Sequence, residues 1–274
     1  MFKRFNKKIT RETAKGPDGQ RAYVVGDIHG RLDLLNNLLD KIKTDDAERK
    51  PAKTSIVFLG DLIDRGPDSK GVVERLLMCP PNFARCLFIS GNHEDTLVRG
   101  LMGENRLLKA WLKFGGLECA QSYGVDIGAI HGREADVIEH VLLSAIPLSH
   151  INFLQSFHES VRFGDYLFVH AGLRPNVPLK RQSARDMLWI RDEFLNSDAD
   201  FGCIVVHGHT VNGTVVLKEN RIGIDTGAYA SGILTALRVE GAKTSIIQST
   251  GEPDPKYSTE DHFSNSAFQE MSLR

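Results

Sequence analysis

Cysteine is scarce in this sequence of 274 residues, with four in all and no two of them spaced as C-x-x-C. A thiolate zinc site or a redox pair is therefore not expected. We interpret the four as small apolar residues in a reducing cytosol; they are Cys79, Cys86, Cys119 and Cys203. A run of about 18 apolar residues is also missing, so no membrane-spanning helix is predicted.

Net charge is nearly absent as well, since 34 lysines and arginines balance 35 aspartates and glutamates. Binding to nucleic acid or to a membrane through overall charge is therefore not expected, whereas a local basic site for phosphate stays open. Six of the first 15 residues are basic, but the apolar segment that follows the basic residues of a secretory signal is missing. We therefore predict no secretory signal and a cytoplasmic location.

In the N-terminal third of the chain, short apolar runs alternate with helical patterns. Residues 22–25, 55–59 and 86–89 have the composition of buried strands, whereas residues 31–42 and 69–78 have apolar side chains at helical spacing. This alternation predicts parallel βαβ units. Ligands bind at the carboxyl ends of the strands in such sheets.

A second strand-rich half is predicted after a mainly helical segment. Strands are expected at residues 166–169 and 203–206, then as an antiparallel run at residues 214–217, 221–225, 233–239 and 244–248. We therefore predict an α/β fold in which two packed mixed β-sheets are sandwiched by helices. The predicted domain covers residues 21–250, with a helical specificity insertion at residues 95–164, a basic N-terminal arm at residues 1–20 and a polar tail at residues 251–274.

Five short polar motifs follow predicted strands and supply carboxylate, imidazole and amide oxygen atoms. An aspartate after a strand is usually a turn former or helix cap, as expected for Asp33 and Asp68, and a lone histidine is usually structural. Five such motifs in order instead favour a site for two divalent metal ions. They are Gly26-Asp27-Ile28-His29-Gly30, Gly60-Asp61-Leu62-Ile63-Asp64-Arg65-Gly66, Gly91-Asn92-His93-Glu94, His170-Ala171-Gly172-Leu173 and His207-Gly208-His209-Thr210.

The candidate metal ligands are carboxylates, imidazoles and one amide. Asp27 and His29 are two residues apart just after a strand, so both can face one point, and Asp61 could bridge two ions. Of His207 and His209 we favour His209, which lies in the turn. Without a thiolate, this set suits Mn²⁺, Fe or Zn²⁺ better than Cu(I). We predict two divalent ions, with Mn²⁺ preferred and Fe or Zn²⁺ as alternatives. The predicted ligands are Asp27, His29, Asp61, Asn92, His170 and His209.

The neighbouring residues predict phosphoester hydrolysis. Two cations about 3.5–4 Å apart can hold a bridging hydroxide that attacks phosphorus in line. His93 is placed to protonate the leaving oxygen, and Asp64 could accept a hydrogen bond from His93 and so set its tautomer. The planar guanidinium of Arg65 fits phosphate oxygens.

The first three motifs resemble those of the calcineurin-like metallophosphoesterases, and more narrowly the bacterial phosphoprotein phosphatase branch that includes the phage lambda phosphatase. The resemblance runs from about residue 23 to about residue 239 and implies the two-sheet sandwich predicted above. It also implies a second phosphate-binding arginine after the His170 motif, for which Arg191 is favoured over Arg174. One metal would be held by Asp27, His29 and Asp61, and the other by Asp61, Asn92, His170 and His209.

The resemblance implies a metal-dependent phosphatase that hydrolyses phosphoserine and phosphothreonine in proteins, or a small phosphoester. The nearest alternative is hydrolysis of diadenosine tetraphosphate, since the symmetrical hydrolases of that dinucleotide share the fold and most ligands. Asp64 and Glu94 favour the protein phosphatase side, because the usual motifs of those hydrolases differ at both positions. A catalytically inactive scaffold is a third hypothesis, but such members lose ligands that this sequence keeps.

Overall fold

A computed structural model describes residues 9–78 and 82–257 of the chain. Ten strands in these residues form two five-stranded sheets. The strands are β1 (Gln20–Val25), β2 (Lys53–Phe58), β3 (Arg85–Phe88), β4 (Ser160–Phe163), β5 (Tyr166–Val169), β6 (Ile204–His207), β7 (Val216–Leu217), β8 (Arg221–Gly223), β9 (Ile233–Glu240) and β10 (Lys243–Thr250).

The first sheet has the order β10-β9-β1-β2-β3. Strand β1 is parallel to β2, and β2 to β3, as the βαβ pattern predicts. Strands β9 and β10 form an antiparallel hairpin that pairs with β1 and closes this sheet. The carboxyl ends of β1, β2 and β3 therefore lie side by side.

The second sheet has the order β4-β5-β6-β8-β7. Strands β5, β6 and β8 are mutually parallel, whereas β4 and β7 are antiparallel edge strands. Within the predicted antiparallel run, β7 pairs with β8 and β9 with β10 as expected, but β8 and β9 lie in different sheets, so a single continuous run is wrong. Strand β4 was not predicted, because its residues are mostly half-exposed and form no apolar run.

Helices cover both outer faces of the two sheets, as the α/β sandwich prediction requires. They are α1 (Leu32–Ala47), α2 (Ser69–Leu77), α3 (Asn92–Leu101), α4 (Leu108–Trp111), α5 (Gly116–Ser122), α6 (Ala135–Ala145), α7 (Leu148–Gln155), α8 (Ala184–Trp189), α9 (Asp192–Leu195) and α10 (Ala228–Ser231). Short 3₁₀ turns lie at Asn105–Leu107, Leu112–Phe114, Ile127–Ala129, Leu179–Arg181 and Pro255–Tyr257.

Alternate side chains of β1 enter different parts of the core, as the two-residue period of a strand requires. Tyr23 and Val25 pack with α1, α2 and the helical segment, whereas Ala22 and Val24 pack against the second sheet. The outer face of the second sheet is covered by α8 and α9 through residues such as Phe194. The layers are thus helices, sheet, sheet and helices, which confirms the predicted fold class.

The ends of the chain lie partly outside the described residues, which exclude 1–8 and 258–274 of the predicted arm and tail. Residues 251–257 lie against the domain: the Gly251 N–H donates to the Gly232 carbonyl at 2.8 Å, and the rings of Tyr257 and Tyr229 are 4.9 Å apart. Among the described residues, no single helix is long and apolar enough to cross a membrane; α6 and α7 meet that test only as a pair bent by 104°.

Candidate metal centre

The loops after β1 and β2 are joined by backbone hydrogen bonds. The N–H groups of Ile28 and His29 donate to the Asp61 carbonyl at 3.0 and 2.9 Å. His29 and Asp61 both have left-handed backbone conformations, with φ of 46° and 48°. Such strain, about 1–3 kcal/mol for each residue, persists only where the surroundings hold it, and it turns both side chains toward one point.

Two groups of potential ligands share Asp61. The first contains His29, Asp61 and His93 and the second contains Asp61, His170 and His209; the ligand atoms within each group lie within 4.8 Å of one another. Oδ2 of Asp61 is 3.6 Å from Nε2 of His29 and 3.5 Å from Nε2 of His170. A carboxylate between two imidazole groups has the position that a bridging ligand needs.

The backbone sets the tautomers of two of these histidines. Nδ1 of His29 lies 2.8 Å from the Ile63 carbonyl, and Nδ1 of His170 lies 2.9 Å from the Leu59 carbonyl. A carbonyl oxygen only accepts, so each Nδ1 carries a proton and each Nε2 presents a lone pair to the interior. That is the state in which imidazole binds a metal.

Asn92 faces the same interior. Its Oδ1 lies 2.8 Å from Nε2 of His170. Both atoms are acceptors in the tautomer described above, and such a pair repels unless a cation lies beside it. Burial raises the pKa of Asp61 to about 7, and a bound cation would keep this carboxylate ionised.

Asp27 is held by the loop after β6. Its Oδ2 accepts the backbone N–H of His209 at 3.0 Å, and a Cβ at Gly208 would overlap its carboxylate. Oδ1 of Asp27 and Nε2 of His209 are buried and have no hydrogen-bond partner among the described residues. These unpartnered atoms, together with the carboxylate, imidazole and amide groups around them, fit divalent cations.

His207 is buried like His209, but it does not belong to either ligand group. Its ring packs against Phe194 at 5.1 Å between centroids, and its Nδ1 lies 3.0 Å from the Gly208 carbonyl. The sequence favoured His209 of this pair, and the structure places His209 in the group with Asp61 and His170.

His93 and Asp64 lie beside Asp61. Nδ1 of His93 is 2.6 Å from Oδ2 of Asp64, and the indole N–H of Trp111 donates to that same oxygen at 2.7 Å. Burial, followed by the charges of Glu94 and Asp61, raises the pKa of Asp64, while the indole hydrogen bond lowers it. Trp111 was missed as a site residue from sequence, where it lies within the predicted helical insertion at residues 95–164.

Two arginines differ in how they meet this centre. The Arg65 guanidinium lies 3.1 Å from Nε2 of His29 and 3.2 Å from Nε2 of His93. It also lies over the Tyr229 ring, 4.6 Å from its centroid. Arg191 donates to Oγ1 of Thr210 at 3.4 Å. Thr210 follows His209 in the chain, so this hydrogen bond holds the Arg191 guanidinium beside the loop that carries His209. After burial, the Arg191 charge is the largest cause of the lowered pKa of His209.

Arg174 points elsewhere. Its guanidinium pairs with Asp186 at 2.6 Å and with Glu193 at 3.6 Å, and its side chain is 44% exposed. The structure therefore brings Arg191 toward the candidate centre and leaves Arg174 in a surface ion pair.

Two buried carboxylates complete the surroundings. Glu94 accepts the backbone N–H groups of Asp61 and Leu62 at 2.8 and 2.7 Å, and so holds the loop that carries Asp61. Asp225 accepts the Gly227 N–H at 2.9 Å, and next to burial its charge is the main cause of the raised pKa of Asp27. Asp225 was missed, although it ends a predicted strand as the other candidates do.

The fold and the site together define a class of protein: a two-sheet α/β sandwich whose strand ends carry two carboxylate–imidazole groups that share one aspartate, beside arginines suited to phosphate. Residues 21–233 match the calcineurin-like phosphoesterase family. The chain belongs to this family of metal-dependent phosphoesterases.

Curated relatives have two kinds of name. An asymmetrical bis(5'-nucleosyl)-tetraphosphatase PrpE of Anoxybacillus flavithermus is 24% identical over 251 residues, covering 83% of this chain and 94% of the relative. Serine/threonine-protein phosphatase 1 of Salmonella typhimurium is 27% identical over 228 residues, covering 81% of this chain and 93% of the relative. Among solved structures, a putative diadenosine tetraphosphatase matches with a TM-score of 0.59 and 22% identity, covering 85% of this chain and 96% of that one.

Proposed function

We propose that this phosphoesterase hydrolyses phosphoserine and phosphothreonine monoesters in proteins, with Mn²⁺ as the metal and Fe or Zn²⁺ as alternatives. In this proposal, Asp27, His29 and Asp61 hold one cation and Asp61, Asn92, His170 and His209 hold the other. When bound, the two cations would supply an activated water and neutralise phosphate oxygens. The orphaned Asp27 and His209 atoms support this assignment.

The hydrogen bond between His93 and Asp64 is the observation that favours a phosphate monoester over a dinucleotide as the substrate. The leaving group of a phosphoserine or phosphothreonine ester is an alkoxide, which needs a proton, whereas a nucleotide leaves readily without one. Asp64 orients the ring of His93 so that Nε2 faces the interior, and its negative charge stabilises the protonated ring. A fixed proton donor at this point would be of most use to an alkyl ester.

Arg65 and Arg191 are proposed to bind the phosphate oxygens. The planar guanidinium of Arg65 is held over Tyr229, and that of Arg191 is held at Thr210. In the absence of phosphate, burial and the Arg65 charge lower the pKa of His93. The negative charge of a bound ester would raise the pKa of His93 again, so we expect His93 to take up its proton together with the substrate.

A dinucleoside polyphosphate is a second candidate substrate, favoured by the PrpE relatives and by one feature of the structure. A cavity of about 310 Å³ has both charged and apolar walls. It is lined by Arg65, Lys113, Glu118 and Lys256 and by apolar and aromatic residues, which are Leu112, Phe114, Leu117, Tyr229 and Tyr257. Aromatic and apolar walls of this kind suit a nucleobase, which binds through its ring faces.

Steady-state hydrolysis distinguishes the two substrates. Metal-stripped protein supplied with Mn²⁺ would be assayed with p-nitrophenyl phosphate, a phosphothreonine peptide, a phosphotyrosine peptide and diadenosine tetraphosphate. We expect the highest kcat/KM for the phosphothreonine peptide. Preference for the dinucleotide, together with a KM for it that rises in Phe114→Ala, would replace the proposal with the second candidate. No metal-dependent turnover of any of these compounds would favour an inactive scaffold.

A further inference from the structure

Trp111 belongs to the helical segment rather than to the strand-end loops, yet its side chain contacts the His93–Asp64 pair. Its indole N–H donates to Oδ2 of Asp64 at 2.7 Å, and Nδ1 of His93 lies 2.6 Å from the same oxygen. All three side chains are buried. The carboxylate oxygen that orients His93 is therefore itself held by a donor from α4.

The backbone at Asp64 requires support from its surroundings. Asp64 and Arg65 are consecutive residues in the left-handed region, with φ of 74° and 66°, and such a conformation in residues other than glycine persists only where the surroundings hold it. The Asp64 N–H donates to Oγ of Ser69 at 2.9 Å, and the Arg65 N–H donates to the Gly115 carbonyl at 3.0 Å. The short segment 111–115 thus contacts these two residues twice: the Trp111 indole binds the Asp64 side chain, and the Gly115 carbonyl accepts the Arg65 N–H.

The indole is itself fixed in place. Trp111 has no exposed surface, and a Cβ at Gly116 would overlap its ring system. Close packing on this face restricts rotation of the side chain, so the N–H keeps its direction toward Asp64.

We propose that Trp111 is a positioning residue for the His93–Asp64 pair: its indole N–H holds the Asp64 carboxylate so that Nε2 of His93 faces the leaving oxygen. The inference rests on the proposed function, in which His93 is the proton donor. Because Trp111 acts only through this pair, its contribution grows as the leaving group becomes more basic.

The test replaces Trp111 site-specifically with 3-benzothienylalanine, in which sulfur takes the place of the indole N–H while the ring shape is nearly kept. Phenyl phosphate has a poor leaving group and 2,4-dinitrophenyl phosphate a good one. With Mn²⁺ added, we expect kcat for phenyl phosphate to fall about tenfold, kcat for the dinitrophenyl ester to stay within about twofold, and the metal content to be unchanged. Equal losses on both esters, or no loss on either, would overturn the inference.

A second measurement needs no turnover. In metal-free protein, the Nδ1 proton of His93 is assigned by its absence from the NMR spectrum of His93→Asn. We expect this resonance to shift when Trp111 carries the sulfur analogue, because both donors share one oxygen of Asp64; an unchanged resonance contradicts the inference.

The His93→Asn enzyme separates this inference from the proposed function. If its kcat on phenyl phosphate falls while the benzothienyl enzyme keeps the natural rate, only the role of Trp111 is wrong. If His93→Asn itself keeps the natural rate, His93 is not the proton donor and both proposals fail.

Discussion

Nε2 of His170 lies 2.8 Å from Oδ1 of Asn92 in the buried centre of the molecule. Nδ1 of His170 donates to the Leu59 carbonyl, so the two facing atoms are both acceptors. A cation removes the repulsion between such atoms, whereas a proton on Nε2 is disfavoured because burial lowers the pKa of His170 to about 4. The contact therefore supports a metal at this point.

Replacing Asp61 with asparagine should remove the negative charge shared by both ligand groups. We expect turnover to fall about 1000-fold or more and the metal content to fall below two ions per chain, as measured by steady-state assay and elemental analysis. Asp68→Asn is the matched control, since Asp68 caps α2 by accepting the Gly71 N–H. It should leave stability nearly unchanged, because asparagine caps a helix about as well as aspartate, and it should keep the metal. Near-normal activity of Asp61→Asn would show that Asp61 does not bridge two metal ions.

His93→Asn should slow proton transfer to the leaving oxygen without removing a ligand. We expect kcat for phenyl phosphate to fall about 100-fold while the metal content stays intact. Elemental analysis is the deciding measurement, because His93 also lies within reach of Asp61 and His29. Loss of metal from this variant would make His93 a ligand instead of an acid.

Arg191 and Arg174 offer a matched pair of variants. Arg191→Ala should lower kcat/KM for a phosphothreonine peptide about 100-fold, because one guanidinium near the ligand groups is lost. Arg174→Ala should stay within about threefold, since it breaks only a surface ion pair with Asp186. The reverse order of effects would show that Arg174 is the phosphate-binding arginine.

Asp45 allows a stability test far from the metal centre. Its carboxylate accepts hydrogen bonds from Arg49, Arg238 and Tyr23, and Arg49 is the largest cause of its lowered pKa. An aspartate with a lowered folded-state pKa stabilises the protein above its ordinary pKa of 3.8 and loses that contribution as the pH falls below it.

Asp45→Asn should therefore lower the free energy of unfolding by about 2 kcal/mol at pH 7, and its difference from the natural protein should narrow at pH 3. Urea unfolding at both pH values measures this. A constant difference across that range would mean that the carboxylate charge is not the source of the stability.

Much of the fold and of the candidate site could be predicted from local patterns. The parallel strands β1, β2 and β3 follow from apolar runs alternating with amphipathic helices, and their carboxyl ends do lie side by side. The candidate ligands that follow β1, β2 and β3 lie there because that topology brings strand ends together, and His170 and His209 approach Asp61 from the ends of β5 and β6 in the second sheet. Edge strand β4 escaped prediction, since partial exposure leaves it without an apolar run.

The contacts that cross the molecule could not be predicted in this way. In the sequence, Trp111 is only an apolar residue within the predicted helical insertion. Tertiary packing brings its indole N–H to Asp64, 47 positions away in sequence. Asp225 lies two residues after β8 as Asp27 lies two residues after β1, but its significance appears only when folding places the two buried charges together.

The sequence alone therefore determined the chemistry available at the strand ends, because residue type and two-residue or helical spacing are local properties. Only the tertiary structure shows which side chains approach each other: it places His209 rather than His207 in a ligand group, and it places Arg191 at Thr210 while Arg174 pairs with Asp186. His209 has a φ of 63°, which turns its side chain toward the ligand groups, while His207 packs against Phe194 on α9. Side-chain direction depends on backbone conformation and on packing partners distant in sequence, and neither is written in a local pattern.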